Sequence, residues 1–483
     1  MSKKRLPLII IFLTSIFSVF YYAININSWK FSFVGDEWPF FTKSVEIANS
    51  NLLVNPFSLA GVWGQNPVLF SFYQAFFIKI FGASNIVWRL STIVLIVPLS
   101  VFFFLWIKQL FDQKIAIVST LLLQTSFYLA NFLKIGYPNP LALVLFIITI
   151  YFFTRTSINL DYKTFILSGM FLGISFYVYI GAIFPLIILP YIIILFWNRF
   201  SIKKLVKPFI LTAFSYLTML IPFIIQITND DTFLKIITEK TVLKKEYTDN
   251  LQPIYNFLHN LILFFRNNDY NYNHYVTGPY LEYLTQIFAL IGICYLIINL
   301  KSASSKLLLT LFISTALVIG LTSPYSYSPT TRGIFFLPFG FAFAGIGMNL
   351  VLKRLSEMNY WKFFTVIIII IFFINLYHSQ IGVFKNYNFE PTALITKFLK
   401  EEKNKNSKKT SYLIIVENNS YNYENIEILR QAYDLEKIPF KVKLTSEINC
   451  TSISGQNVLL LKRNEDLIEI IKKNKCPFLL KII

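Results

Sequence analysis

Charge is what this sequence has least of. Asp, Glu, Lys and Arg make up 14% of its 483 residues, against roughly 25% in an ordinary soluble chain, which excludes a protein bathed mostly in water. Acids are scarcer than bases, 25 against 44, for a formal net charge of +19. In a soluble chain that excess would point to nucleic acid. Here the bases fall between apolar runs rather than along one soluble face, so no nucleic-acid partner is expected, and they read as topology signals and contacts with anionic membrane lipids. The three cysteines, Cys294, Cys450 and Cys476, lack any CxxC spacing, which argues against a cysteine zinc site. After Lys385 there is neither GxGxxG nor GxxxxGK followed by Ser or Thr. No nucleotide cofactor or nucleotide-sugar site is therefore expected in that part of the chain.

What the sequence has in abundance is apolar length. With 55% hydrophobic residues and a mean hydropathy of +0.57, it reads as a polytopic α-helical membrane protein. The N-terminus pairs a basic start with an apolar run and no small-residue cleavage site, so it is expected to stay as a first helix rather than leave as a signal peptide. Further runs near 20 residues lie at 86–107, 115–133, 139–154, 164–180, 182–197, 208–227, 281–300, 307–322, 333–351 and 361–378. About 11 transmembrane helices are expected by that length criterion.

Lys and Arg recur in every second connection: Lys3, Lys4 and Arg5, then Lys108 and Lys114, Arg155 and Lys163, Arg199 with Lys203, Lys204 and Lys207, Lys301 and Lys306, and Lys353, Arg354 and Lys362. By the positive-inside rule these face the cytoplasm. The N-terminus is then cytoplasmic, and loops 28–85 and 228–280 and the C-terminal part lie outside a cytoplasmic (plasma) membrane.

An acid pair, Asp36 and Glu37, stands just past the first run. Carboxylates at a bilayer edge are costly unless they reach water or have a task. The pair is followed by Asn66-Pro67, a short apolar helix ending at Phe81-Gly82, and Trp88-Arg89-Leu90. The stretch from Pro67 to Phe81 is too short to cross a bilayer of ~30 Å. Interrupted by Ser71, Gln74 and Lys79, it suits a helix lying in the interface.

This order resembles the first outer loop of the GT-C membrane glycosyltransferases, in particular the protein O-mannosyltransferases and the lipid A aminoarabinose transferases. The match runs through Asp36, Glu37, Asn66-Pro67, Phe81-Gly82 and Arg89-Leu90, with Asn66 standing where a base or a proline is usual. The resemblance covers roughly residues 1–380. It implies a transmembrane GT-C-like domain over 1–380, with Asp36 and Glu37 catalytic: Asp36 takes the acceptor proton and Glu37 supports the site. It also implies an Arg near the donor phosphate, here Arg332 after SPYSYSPTT, joined by Arg89 or Lys134, with Asn66 as a further substrate contact. A guanidinium matches a phosphate bidentately and stays charged when partly buried.

Other candidates follow from the outer loops. Lys134, Tyr137 and Asn139 form a second loop placed to meet a phosphate or a sugar hydroxyl, although Asn139 stands where relatives often carry an acid and an amide cannot act as a base. A polar cluster with Asp269 and His274 precedes the span at 281–300 and is a further substrate-binding candidate. With His259 it supplies possible ligands for a divalent metal ion, though two histidines fifteen apart lack the i, i+4 spacing of helical metal motifs. Metal dependence stays open.

Beyond Lys385, strand-like runs TSYLIIVE, IPFKVKLT, QNVLLLKR and PFLLKII alternate with helical patterns at 421–435 and 464–474. They predict a small C-terminal α/β domain over 386–483, soluble and extracytoplasmic. The function expected of the whole is transfer of a sugar from a polyprenyl-phosphate-linked donor to a hydroxyl of a lipid, glycan or protein acceptor, with inversion at the sugar carbon. The alternatives are a secondary transporter or a non-catalytic membrane scaffold. Transporters concentrate charged or broken helices at the midplane, whereas the ionisable residues here gather in outer loops.

Overall fold

The computed structural model describes residues 6–24, 26, 37–62, 66–159, 161–179, 202–229, 251–265, 279–322, 330–357, 366, 369–370, 372–377, 397–399, 401, 412–416, 440–444, 457–460 and 479–482. Its helices are α1 (Leu6–Ala23), α2 (Glu37–Asn49), α3 (Leu69–Phe81), α4 (Asn85–Ile93), α5 (Ile96–Leu110), α6 (Gln113–Gln124) and α7 (Phe127–Lys134). After these come α8 (Asn139–Asn159), α9 (Tyr162–Phe176), α10 (Ile202–Asn229), α11 (Gln252–Leu261), α12 (Tyr283–Ile298), α13 (Ala303–Thr322) and α14 (Leu337–Glu357). Side-chain oxygens set several starts. Ser84, Asp112, Ser126 and Asp161 each accept a backbone N–H from the first turn they precede, satisfying amides that a helix leaves unpaired.

Among the described residues, five helices are long and apolar enough to cross a membrane: Leu6–Ala23, Asn85–Leu110, Val206–Asn229, Ala303–Leu321 and Ile334–Glu357. The expected run at 115–133 is not one straight helix. It breaks between α6 and α7 with a bend of 53°, and makes a sixth span if the two pieces are counted together. Helices Asn139–Arg155, Tyr162–Phe176 and Tyr283–Ile298 are apolar but shorter. At 1.5 Å per residue, fifteen residues reach only about 22 Å of the ~30 Å core. The run at 182–197, like part of 361–378, lies outside the described residues.

Burial separates the centre of the bundle from its rim. In α14, 83% of the spanning window is buried, against 28% in α1 and 22% in α10. The rim helices turn Phe17, Phe20, Phe214 and Leu217 outward, the arrangement expected where the solvent is hydrocarbon. Helix α14 packs closely on α12 because Gly292 and Gly347 carry no side chain there. A Cβ at either would run into the backbone carbonyl of Phe343 or Phe288, a small-residue contact of the kind that brings membrane helices together.

Helix α3 is the short apolar helix expected over this stretch, with one face turned into the protein. Ser71, Gln74 and Ile78 share its buried face, while Phe76, Ile80 and Phe81 are exposed. Gln74 Nε2 donates to Ser91 Oγ at 3.3 Å, and Tyr73 OH to the Ser91 carbonyl at 2.7 Å. Residues three and seven apart lie on one helical face, so the polar residues that interrupt the apolar run point into the protein. Lys79 alone reaches out, donating to Asn51 Oδ1 at 2.6 Å.

In the C-terminal part, β1 (Tyr412–Val416), β2 (Phe440–Leu444), β3 (Asn457–Leu460) and β4 (Leu479–Ile482) form one sheet in the order β2-β1-β3-β4. Every pairing is parallel, with Tyr412 beside Phe440 and Asn457, and Asn457 beside Leu479. The four strand-like runs are therefore strands, and parallel pairing demands crossover connections. The helical patterns at 421–435 and 464–474 lie outside the described residues.

Gly292→Ala forces a methyl group onto the Phe343 carbonyl. It is expected to cost about 1–3 kcal/mol, seen as a lower Tm of the detergent-solubilised protein. An unchanged melting curve would show that α12 and α14 are not in this close register.

Candidate active site

Helix α2 begins at Glu37, and its first residue is completely buried. A carboxylate suits a helix N-terminus because the unpaired amides there carry partial positive charge, yet an isolated buried charge costs far more than that gains. Three donors meet it. Glu37 Oε1 accepts from Arg89 Nη1 at 2.5 Å, from the Gly136 backbone N–H at 2.6 Å and from Trp88 Nε1 at 3.2 Å.

Arg89 is itself 1% exposed. It comes from α4, a short helix nearly surrounded by protein, with Asn85, Trp88, Arg89, Ser91 and Thr92 all buried. Its Nε donates to Asn85 Oδ1 at 3.2 Å, one turn earlier on the helix, and its Nη1 also donates to the Lys134 carbonyl. Asn85 Nδ2 in turn holds the Ile26 carbonyl at 3.2 Å, and Thr92 Oγ1 holds the Leu133 carbonyl at 2.9 Å. The ion pair thus ties together the chain after α1, the start of α2, helix α4 and the end of α7. Gly136 is obligatory, since a Cβ there would collide with the Trp88 ring. That ring stands edge-on to Phe41 of α2, with centroids 5.4 Å apart.

A second polar group lies under α7. Tyr22 OH donates to the Gln124 carbonyl, while Gln124 Nε2 donates to Ser15 Oγ at 2.8 Å. Lys134 Nζ sits 5.8 Å from the centre of the Tyr22 ring. Glu282, just before α12, accepts the Phe127 backbone N–H at 2.9 Å. Tyr128 and Tyr280 stack with centroids 4.2 Å apart.

The structure brings Glu37 and Arg89 together and adds Lys134 through its carbonyl. Lys134, Tyr137 and Asn139 are buried rather than presented in a solvated loop, because α7 and the turn after it are built into the bundle. Asn66 closes a turn of its own, donating from Nδ2 to the Val62 carbonyl at 3.2 Å while its own carbonyl accepts the Gly61 N–H at 2.9 Å. Arg332 is half-buried in a single helical turn, Thr330–Gly333, and a Cβ on neighbouring Gly333 would meet the Tyr280 hydroxyl. Asp36, Asp269 and His274 lie outside the described residues. Among the described residues, no three His, Cys, Asp or Glu side chains gather as a metal site would need.

Asn85, Trp88 and Gly136 carry the network and have no assigned role in the sequence reading. The readable signal was weak: an Asn four residues before an Arg on one helix, and a Gly in KIGYPNP.

Arg89→Met strands a buried carboxylate and is expected to cost about 3–5 kcal/mol, whereas Glu37→Gln combined with Arg89→Met removes both charges and recovers part of that loss. A double-mutant cycle by chemical unfolding in detergent measures it. Additive losses would mean the two side chains do not form the pair described.

Residues 65–226 match the family model for dolichyl-phosphate-mannose-protein mannosyltransferase. No curated protein sequence matches. Among solved structures, ArnT from Cupriavidus metallidurans bound to undecaprenyl phosphate is similar over 98% of this chain and 89% of its own, with 9% identity and a TM-score of 0.53. The archaeal oligosaccharyltransferase AglB from Archaeoglobus fulgidus, in complex with an inhibitory peptide and a dolichol-phosphate, is similar over 87% of this chain, with 13% identity and a TM-score of 0.52. The match spans 63% of that longer protein. The chain thus shares the fold of ArnT and AglB and, over residues 65–226, is similar to the dolichyl-phosphate-mannose-protein mannosyltransferase family.

Proposed function

We propose that this protein moves a sugar from a polyprenyl-phosphate-linked donor to a hydroxyl of a lipid, glycan or protein acceptor at the outer face of the cytoplasmic membrane. The observation that carries this reading is the buried Glu37–Arg89 pair at the start of α2, one residue after Asp36, in a chain with the family match and this fold. Two glycosyltransferases of the same fold have been seen with undecaprenyl phosphate and with dolichol-phosphate. Transporter and scaffold readings have no comparable support.

In this reading the two acids divide the work. Glu37 Oε1 already accepts from Arg89, Trp88 and Gly136, so Glu37 is a support that fixes where α2 begins. Asp36 is left to act as general base. The acceptor oxygen bonds to the sugar carbon as the bond from that carbon to the lipid-phosphate oxygen breaks, and the acceptor proton passes to Asp36. Attack opposite the departing phosphate inverts the carbon. Arg89 is committed to Glu37 and Asn85, so the charge gathering on the lipid phosphate falls to Arg332, with Lys134 as the second cation. Asn66, Tyr137, Asn139, Asp269 and His274 are assigned to substrate contacts.

The same reading includes eleven spans, a cytoplasmic N-terminus, a transmembrane domain over 1–380 and an extracytoplasmic α/β domain over 386–483. The alternation of Lys and Arg along the sequence supports the orientation, and the parallel sheet supports the last domain.

Initial rates of transfer from polyprenyl-phosphate-mannose, used as the probe donor, test the assignment. Asp36→Asn is expected to lose on the order of 10²–10⁴-fold in rate with donor binding retained, and Glu37→Gln to lose less. Arg332→Ala should weaken donor binding as well as turnover, since it removes a charge-assisted contact. If Asp36→Asn keeps more than about a tenth of the parent rate, Asp36 is not the base.

A further inference from the structure

Glu282 joins the end of one distant segment to the start of α7. It occupies the position just before α12, where an acidic side chain ordinarily caps its own helix, yet it caps no amide of α12. Its Oε1 instead accepts the N–H of Phe127, the first residue of α7, at 2.9 Å. Its Oε2 is buried with no hydrogen-bond partner among the described residues. A buried carboxylate oxygen left unsatisfied is expensive, and the long-range bond of the group lies at the break between α6 and α7.

That break needs a partner from elsewhere. The chain turns through 53° at Thr125-Ser126 with neither proline nor glycine, and the first amides of α7 emerge inside the bundle, where an unpaired N–H is costly. Ser126 Oγ takes the Leu129 N–H at 3.2 Å. Glu282 takes the Phe127 N–H at the first turn. Helix α7 is eight residues long, a rod of about 12 Å. Its far end supplies the Leu133 carbonyl to Thr92, the Lys134 carbonyl to Arg89 and, two residues on, the Gly136 N–H to Glu37. One end of the rod is therefore held by Glu282 and the other aims the donors and acceptors of the ion pair.

We infer that Glu282 is a positioning residue: by anchoring the first turn of α7 it fixes the bend that delivers Lys134 and Gly136 to Arg89 and Glu37, and through them sets the register of the catalytic carboxylate. The inference rests on the proposed sugar transfer only for its kinetic consequence. The structural consequence stands alone.

The test compares Glu282→Met, which keeps length and volume but loses the acceptor, with Glu282→Gln, which keeps an oxygen able to accept the Phe127 N–H. Glu282→Met is expected to raise amide hydrogen exchange across 127–136, and to lower kcat with polyprenyl-phosphate-mannose by about 10²-fold, the cost of misplacing a reacting group by an ångström. Binding of undecaprenyl phosphate should weaken as well, because α7 ends in Lys134, the second cation of the proposed donor site. Glu282→Gln should restore both exchange and kcat. Should Glu282→Met not accumulate, Glu282→Asp, one methylene too short to reach the amide, takes its place with the same expected results. Parent-like exchange and kcat in the variant lacking the acceptor overturn the inference. So does a Gln variant as impaired as Met, which would make charge rather than the hydrogen bond the cause. If the parent protein transfers no sugar at all, the proposed reaction fails while the exchange comparison still decides the role of Glu282.

Discussion

A carboxylate and a guanidinium sealed inside an apolar bundle must face each other, and the Glu37–Arg89 pair imposes that demand on everything around it. Each charge alone would cost several kcal/mol to bury. The pair is tolerable only because Trp88, Gly136, Asn85 and the Lys134 carbonyl take up the remaining valences. Those partners come from separate stretches of sequence, so the end of α7 and the turn after it cannot move without leaving a charge short of a partner. A site that relies on an adjacent acid in a defined place gains that definition from its neighbour's lack of freedom.

Much of the bundle was legible in the sequence because hydrocarbon is a simple solvent to read. Long apolar runs punctuated by Lys and Arg gave α1, α10, α13 and α14 within a few residues. The break in 115–133 was not legible: Gln124, Thr125 and Ser126 interrupt the run only mildly, and the bend depends on an acid 155 residues further along the chain. The orientation of α3 was not legible for a related reason. Polar residues on a short helix suggest a wet face when water is the surroundings, but here the outside is apolar and Ser71 and Gln74 turn inward. In the C-terminal part, the β-branched runs located the strands, whereas their parallel order depends on crossovers that no local pattern specifies.

Of the network around Glu37, Glu37 and Arg89 themselves were readable because charges are rare in this chain and each needs a reason. Gly136 and Trp88 were not, since their roles arise from proximity alone: a glycine leaves room for an indole ring, and a backbone amide then reaches the carboxylate. Lys134 illustrates the limit from the other side. Its charge is visible in the sequence, whereas the contact of its backbone carbonyl with Arg89 and the place of its side chain beside Tyr22 are not.

The central claim is that the acceptor oxygen attacks the sugar carbon directly, with Asp36 as base and a lipid phosphate as leaving group. Nuclear magnetic resonance of the reaction between the purified full chain and polyprenyl-phosphate-mannose of known anomeric configuration tests it in one experiment. Free polyprenyl phosphate is expected to appear together with a glycoside of inverted configuration. A product of retained configuration, or no release of lipid phosphate with any lipid, glycan or peptide acceptor, would contradict it.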